Sequence, residues 1–191
     1  MTGARRLSQA ISEGDGISVI VQVDDLEQAR AAEQQGAEAL GLRRGVAGIA
    51  EATSLPVVWL GDPDAHDAQA SCNAHAVTVW AEDDRLEEVA GRLDEETELV
   101  AGVANEDDLE RALELDPQVF LLSAKEAEDD QHVIDRVIEL LPDVPAGKLA
   151  IAEVDVVSRD EVVALERAGF DAVLVPPGHV GDLVGGAPPQ V

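Results

Sequence analysis

Short runs of Val, Ile, Leu and Ala recur along the chain, and most are followed by a stretch with apolar residues at helical spacing. The runs are Ile17–Val23, Ala39–Leu42, Pro56–Leu60, Ala76–Trp80, Leu99–Val103, Val119–Leu122, Leu149–Val154 and Ala172–Val175. Most lack polar alternation, the pattern of parallel strands buried on both faces. Between them, Leu86, Val89, Ala90 and Leu93 keep the spacing of an amphipathic helix. Val133, Ile134, Val137, Ile138 and Leu141 do the same on a helix that stops at Pro142. Ser158-Arg159-Asp160-Glu161 predicts a capping box opening a helix that ends near Gly169. Asn105 predicts an N-cap for the helix carrying Leu109, Ala112 and Leu113.

Eight such units predict an α/β fold, a compact single-domain (β/α)8 TIM barrel. The barrel is expected over 17–186, with a short N-terminal segment at 1–16 and a short tail at 187–191. Gly36-Ala37-Glu38-Ala39-Leu40 and Gly169-Phe170-Asp171-Ala172-Val173 repeat the same joint between a helix end and the next strand. The weakest units are the second, around Gly45–Thr53, and the last, around His179–Val184. Were either to fail, a doubly wound open sheet would replace the barrel.

Composition narrows the partners. The chain has 191 residues, 13 Lys+Arg against 40 Asp+Glu, and a formal net charge of −27. A length of this order is one domain, and 46% apolar residues exclude a charged disordered tail. Binding to nucleic acid or to an anionic membrane needs clustered Lys and Arg, so both are excluded. The one cysteine, Cys72, excludes an internal disulfide and any CxxC motif. No long apolar run follows the N-terminus, so neither a signal peptide nor a membrane span is expected, and the location expected is cytoplasmic. Only Lys125 and Lys148 are lysines. Dense acid with scarce lysine suits a surface hydrated in concentrated salt, and it equally suits a GC-rich codon bias.

Four stretches bear a family likeness. They are Leu55-Pro56-Val57-Val58, the run from Leu99-Val100-Ala101-Gly102-Val103 through Asn105 to Leu113, Val119-Phe120-Leu121-Leu122-Ser123-Ala124-Lys125-Glu126, and Ala152-Glu153-Val154-Asp155-Val156 with the later Gly169–Val175. In these the chain resembles indole-3-glycerol phosphate synthase, a phosphate-binding barrel of tryptophan biosynthesis. About the first 16 residues precede the first strand, where that family has a long helical extension. The resemblance implies a carboxy-lyase site at the C-terminal ends of the strands, with a lysine general acid, carboxylates, a phosphate cradle and no cofactor.

Matched to the family's motifs, the strand-one Glu-x-Lys pair falls on Val19 and Val21 and the strand-three lysine on Leu60 or Gly61. The strand-five glutamate falls on Gly102. Strand six keeps only Ser123-Ala124-Lys125-Glu126, strand seven only Glu153, and the phosphate cradle becomes Pro176-Pro177-Gly178. Prolines there remove backbone donors, and valine or leucine transfers no proton. The expectation is a divergent barrel without the ordinary synthase reaction, a pseudoenzyme acting in binding or scaffolding. Two alternatives stand beside it: a lyase of the same lineage with altered activity, and a metal-assisted enzyme at an acidic barrel mouth.

The resemblance marks Lys125 and Glu153 as the candidate catalytic residues, with Ser123 of the strand-six motif as a candidate ligand-binding residue for a small molecule. Arg43, in the Arg43-Arg44 doublet after strand two, and His179 are candidate ligand-binding residues on their own chemistry, the doublet reading equally as a counter-charge to the acidic surface. The plain alternative for Lys125 and Glu153 is a solvated ion pair. His179 with Asp155 and Glu153, and Asp62, Asp64, His66 and Asp67, are acidic clusters without a diagnostic metal spacing, and no metal is assigned. His75 is read as structural, His132 as a surface residue, and Cys72 as a small packing residue. Trp59 and Trp80 read as core unless they face the mouth. No protein partner is identified.

Overall fold

The computed structural model describes residues 6–14, 16–124, 130–156, 158–178 and 180–184, of 130–132 the backbone only. Among them lie α1 (Leu7–Ser12), β1 (Ser18–Gln22), α2 (Leu26–Gln34), β2 (Ala39–Leu42), α3 (Ile49–Ala52) and β3 (Val57–Trp59). Next come α4 (His66–Ser71), β4 (Ala76–Trp80), α5 (Leu86–Ala90), β5 (Glu98–Val103), α6 (Glu106–Leu113) and β6 (Val119–Ser123). The chain continues through α7 (Asp130–Leu140), β7 (Leu149–Glu153), α8 (Arg159–Ala168), β8 (Ala172–Val175) and α9 (Val180–Leu183). All eight strands pair in parallel with their sequence neighbours, and β1 closes on β8. The fold is therefore the closed (β/α)8 barrel and not the open sheet. The second and eighth units both hold, each with a helix of four residues.

The predicted caps are formed. Asn105 accepts from Asp108 N at 2.9 Å, and Ser158 and Glu161 make their reciprocal box. Gly169 ends α8 in the left-handed conformation at φ 112°, which favours glycine. The helix expected from Leu86 to Leu93 is shorter, because Gly91 follows Ala90 and ends it.

Alternate strand residues point in and out, so two cores form. Leu40, Val77, Ala101, Phe120, Ala152 and Val173 face the helices. The inward residues stack in layers of four drawn from alternate strands, as the strand registers require. Ala39, Ala76, Val119 and Ala172 make a narrow lower layer, and Ile20, Val58, Val100 and Ile151 fill the middle. Gly41, Thr78, Leu121 and Leu174 lie above them. Three alanines leave room beneath the lower layer, and α1 fills it. Leu7 and Ile11, 0% and 4% exposed, pack into the interior core, and Ser8 N donates to Glu98 Oε2 at 3.0 Å. Helix α1 is thus a plug under the barrel. Among the described residues no helix is long and apolar enough to cross a membrane.

Candidate functional site

The two uppermost inward layers form the mouth. One holds Gln22, Leu60, Gly102 and Glu153, and the rim holds Arg43, Trp80, Ser123 and Pro176; both follow from strand register and alternation. The polar members gather on β1, β2, β6 and β7. Arg43 Nη2 donates to Glu153 Oε1 at 2.5 Å, and Arg43 Nε donates to Gln22 Oε1 at 2.9 Å. One guanidinium therefore spans the mouth from β2 over β1 to β7. Ser123, 4% exposed, is the register partner of Glu153. Glu153 Oε2 is buried and has no hydrogen-bond partner. Such an acceptor costs about 1–3 kcal/mol if nothing donates to it.

The other half of the mouth is apolar. A Cβ built on Gly102 would lie 2.7 Å from Trp80 Cδ2 and Cε3, so the indole rests face-on against the glycine backbone. A Cβ on Gly41 would meet Leu60 Cδ1 at 2.7 Å and Leu174 Cδ1 at 3.2 Å. Two glycines thus make space that a tryptophan and a leucine fill. Below them a cavity of only about 10 Å³ remains, and Thr78 Oγ1 reaches no partner there. That is about the room one water needs, with too few polar groups around it to hold one.

Of the candidate residues, the structure brings Arg43, Ser123 and Glu153 together. Lys125 and His179 lie outside the described residues. Gln22 is a mouth residue that the sequence reading missed, and the reason is facing. Val19 and Val21, matched to the family's Glu-x-Lys pair, belong to the outer core, so the inward positions of β1 are Ile20 and Gln22. Strict inside–outside alternation in β1 was the available signal, hidden because neighbouring residues are apolar on both faces. Trp80 faces the mouth, whereas Trp59 faces outward and donates from Nε1 to Asp62 O at 2.8 Å.

The acidic cluster after β3 is bound by arginines. Arg85 holds Asp83 and Asp64, and Arg92 Nη2 donates to Asp64 Oδ1 at 2.7 Å. The hydrogen bond from Arg92 lowers the pKa of Asp64, and that from Arg85 lowers the pKa of Asp83. Among the described residues no three His, Cys, Asp or Glu side chains are arranged to hold a metal ion. Cys72 is fully buried and accepts from Val46 N at 3.4 Å. His75 stands just before β4, and its Nδ1 accepts from Val57 N at 3.1 Å.

A cavity of about 630 Å³ lies outside the barrel, between α4 and α5. Helices of six and five residues leave this gap between them, while the outward residues Val77 and Val79 of β4 stay buried. Its polar groups are largely spent. Arg92 is on Asp64, Arg6 Nη2 donates to Glu95 O at 2.8 Å, and Asn73 meets His75 at 3.3 Å.

No family model matches the chain. Over 78 residues it is 28% identical to the indole-3-glycerol phosphate synthase of Campylobacter fetus subsp. fetus (strain 82-40), covering 41% of this chain and 30% of that protein. Over 68 residues it is 35% identical to the indole-3-glycerol phosphate synthase of Variovorax paradoxus (strain S110), covering 36% and 26%. The matched stretch spans less than a third of either relative's length. Among solved structures, the N-acetylmannosamine-6-phosphate 2-epimerase of Clostridium perfringens superposes with a TM-score of 0.63 at 13% identity, covering 86% of this chain and 88% of that one. Thiamine phosphate pyrophosphorylase of Pyrococcus furiosus superposes with a TM-score of 0.64 at 16% identity, covering 87% and 90%. At such identities the likeness speaks for the fold. The chain is a (β/α)8 barrel with partial sequence similarity to indole-3-glycerol phosphate synthases.

Proposed function

We propose that this chain is a divergent barrel of the indole-3-glycerol phosphate synthase lineage, acting by binding rather than by the synthase reaction. The observation behind this reading is the half of the mouth built from β3, β4 and β5, where Leu60, Trp80 and Gly102 stand. Closing and dehydrating the synthase's substrate needs proton donors and acceptors around the reacting ring. Leucine, indole and glycine transfer no protons there, and the indole occupies the space a longer side chain at 102 would need. Pro176 and Pro177 also deprive the β8 loop of two backbone donors for a phosphate.

Calorimetric titration with indole-3-glycerol phosphate in molar KCl tests the reading, together with an assay for synthase turnover. No saturable heat and no turnover from the folded protein are expected. Saturable binding of that phosphate would return the synthase reading to the front.

Glu153 favours one second reading, a lyase of the same lineage with altered activity that uses Lys125 and Glu153. The carboxylate stands at the mouth, held by Arg43 with one oxygen unengaged. Under this reading Lys125→Ala and Glu153→Ala each abolish a measurable turnover while the fold survives. Full turnover in both variants would remove it.

A further inference from the structure

We propose that the mouth is a site for a small zwitterion, an α-amino acid with an apolar side chain. This deepens the binding-barrel reading above and rests on it. Hydrogen-bonding groups are left unspent once Arg43 and Glu153 have paired. Arg43 uses Nε on Gln22 and Nη2 on Glu153, so Nη1 still offers its N–H groups; the side chain is 42% exposed. Glu153 uses Oε1 and leaves Oε2 without a donor. Among the described residues, no hydrogen bond engages Ser123 Oγ, one strand away in register.

An unspent guanidinium edge calls for a carboxylate, which it recognises in a planar fork. An unspent carboxylate oxygen calls for an N–H donor, strongest when that donor is an ammonium. The two are held side by side by their own ion pair, so one compact molecule with both groups on adjacent atoms matches them. That molecule is an α-amino acid. Glu153 Oε2 is buried in the unliganded mouth and its terminal torsion is a broad one, so an ammonium engages it as the carboxylate rotates and Arg43 Nη2 passes from Oε1 to the carboxylate of the ligand. Across the mouth, Trp80 and, beneath it, Leu60 make the apolar side. Charge points the same way: a chain of net charge −27 repels a phosphate dianion, whereas a zwitterion carries no net charge to be repelled.

The test titrates the full chain, in molar KCl, with L-phenylalanine, phenylacetate and phenethylamine, reading heat and tryptophan fluorescence. L-Phenylalanine is expected to bind saturably and at least tenfold more tightly than either fragment, because each fragment lacks one of the two charged groups. Glu153→Gln should erase the advantage of L-phenylalanine over phenylacetate, and Arg43→Ala its advantage over phenethylamine, with circular dichroism confirming the fold. Trp80→Leu should weaken all three probes and leave their order intact. Absence of saturable L-phenylalanine binding, affinity no better than that of a fragment, or unchanged selectivity in folded Glu153→Gln would each overturn the proposal. Titration with indole-3-glycerol phosphate on the same sample separates the two readings. Binding there with none to L-phenylalanine sinks both, whereas silence from both compounds sinks the zwitterion alone.

Discussion

The glycine at 102 matters for what it lacks. A methyl added there would sit 2.7 Å from two indole carbons of Trp80, and the ring must move to admit it. Gly102→Ala is therefore expected to destabilise the protein by about 1–3 kcal/mol and to shift the tryptophan emission, as overpacking a closed site does. Denaturant melts followed by fluorescence check both, and an unperturbed spectrum would contradict the packing. His75 has a different consequence. Its Nδ1 must stay unprotonated to accept from Val57 N, and burial lowers its pKa below 6.5 while Glu98 opposes the shift. The folded state then binds fewer protons than the unfolded state. Its contribution to stability is whole above about pH 6.5 and falls as the pH drops through the unfolded value toward the lowered folded one. Melts between pH 5 and 8 should show this slope flattened in His75→Gln.

Among the elements, α1 is the one that reaches the interior core from below the barrel. Six residues close the lower end of the barrel because the layer above them is mostly alanine. Leu7, fully buried, is the residue that fills the gap. Leu7→Ala is expected to cost about 2–5 kcal/mol in urea unfolding, the range for emptying a leucine site in a rigid core. A loss below half a kilocalorie would mean that α1 is peripheral. The α6 and α8 caps were legible because a cap is local chemistry between a side chain and a backbone N–H three residues on. The reach of α1 was not, since it depends on the space that the alanine layer of the barrel leaves to be filled.

For the whole molecule, charge is the dominant feature. At −27, self-repulsion opposes the compact state, and salt screens it. Raising KCl from 0.1 M to 2 M is expected to add about 2 kcal/mol, or roughly 4–8 °C in the melting temperature for a chain of this size. The exposed Arg85 and Arg92 pairs with Asp64 and Asp83 weaken in salt and oppose this, but surface pairs contribute little each. A melting temperature that fell with salt would mean that these local pairs outweigh the global repulsion.

The order of eight apolar runs and their intervening amphipathic stretches determined the barrel, because a parallel strand buried on both faces leaves an unbroken apolar run and a one-sided helix leaves a 3.6-residue spacing. Glu153, Ser123 and Arg43 were legible as residues at strand ends. Their convergence was not, because three strands far apart in the chain meet only when β1 closes on β8. Gln22 was invisible for the same reason: in a strand apolar on both faces, nothing local says which residues point in. Tertiary structure alone decided that Trp80 lies on Gly102 and that Arg43 spans the mouth to Glu153, since both follow from the stagger of a closed sheet that places residues from distant strands in adjoining layers.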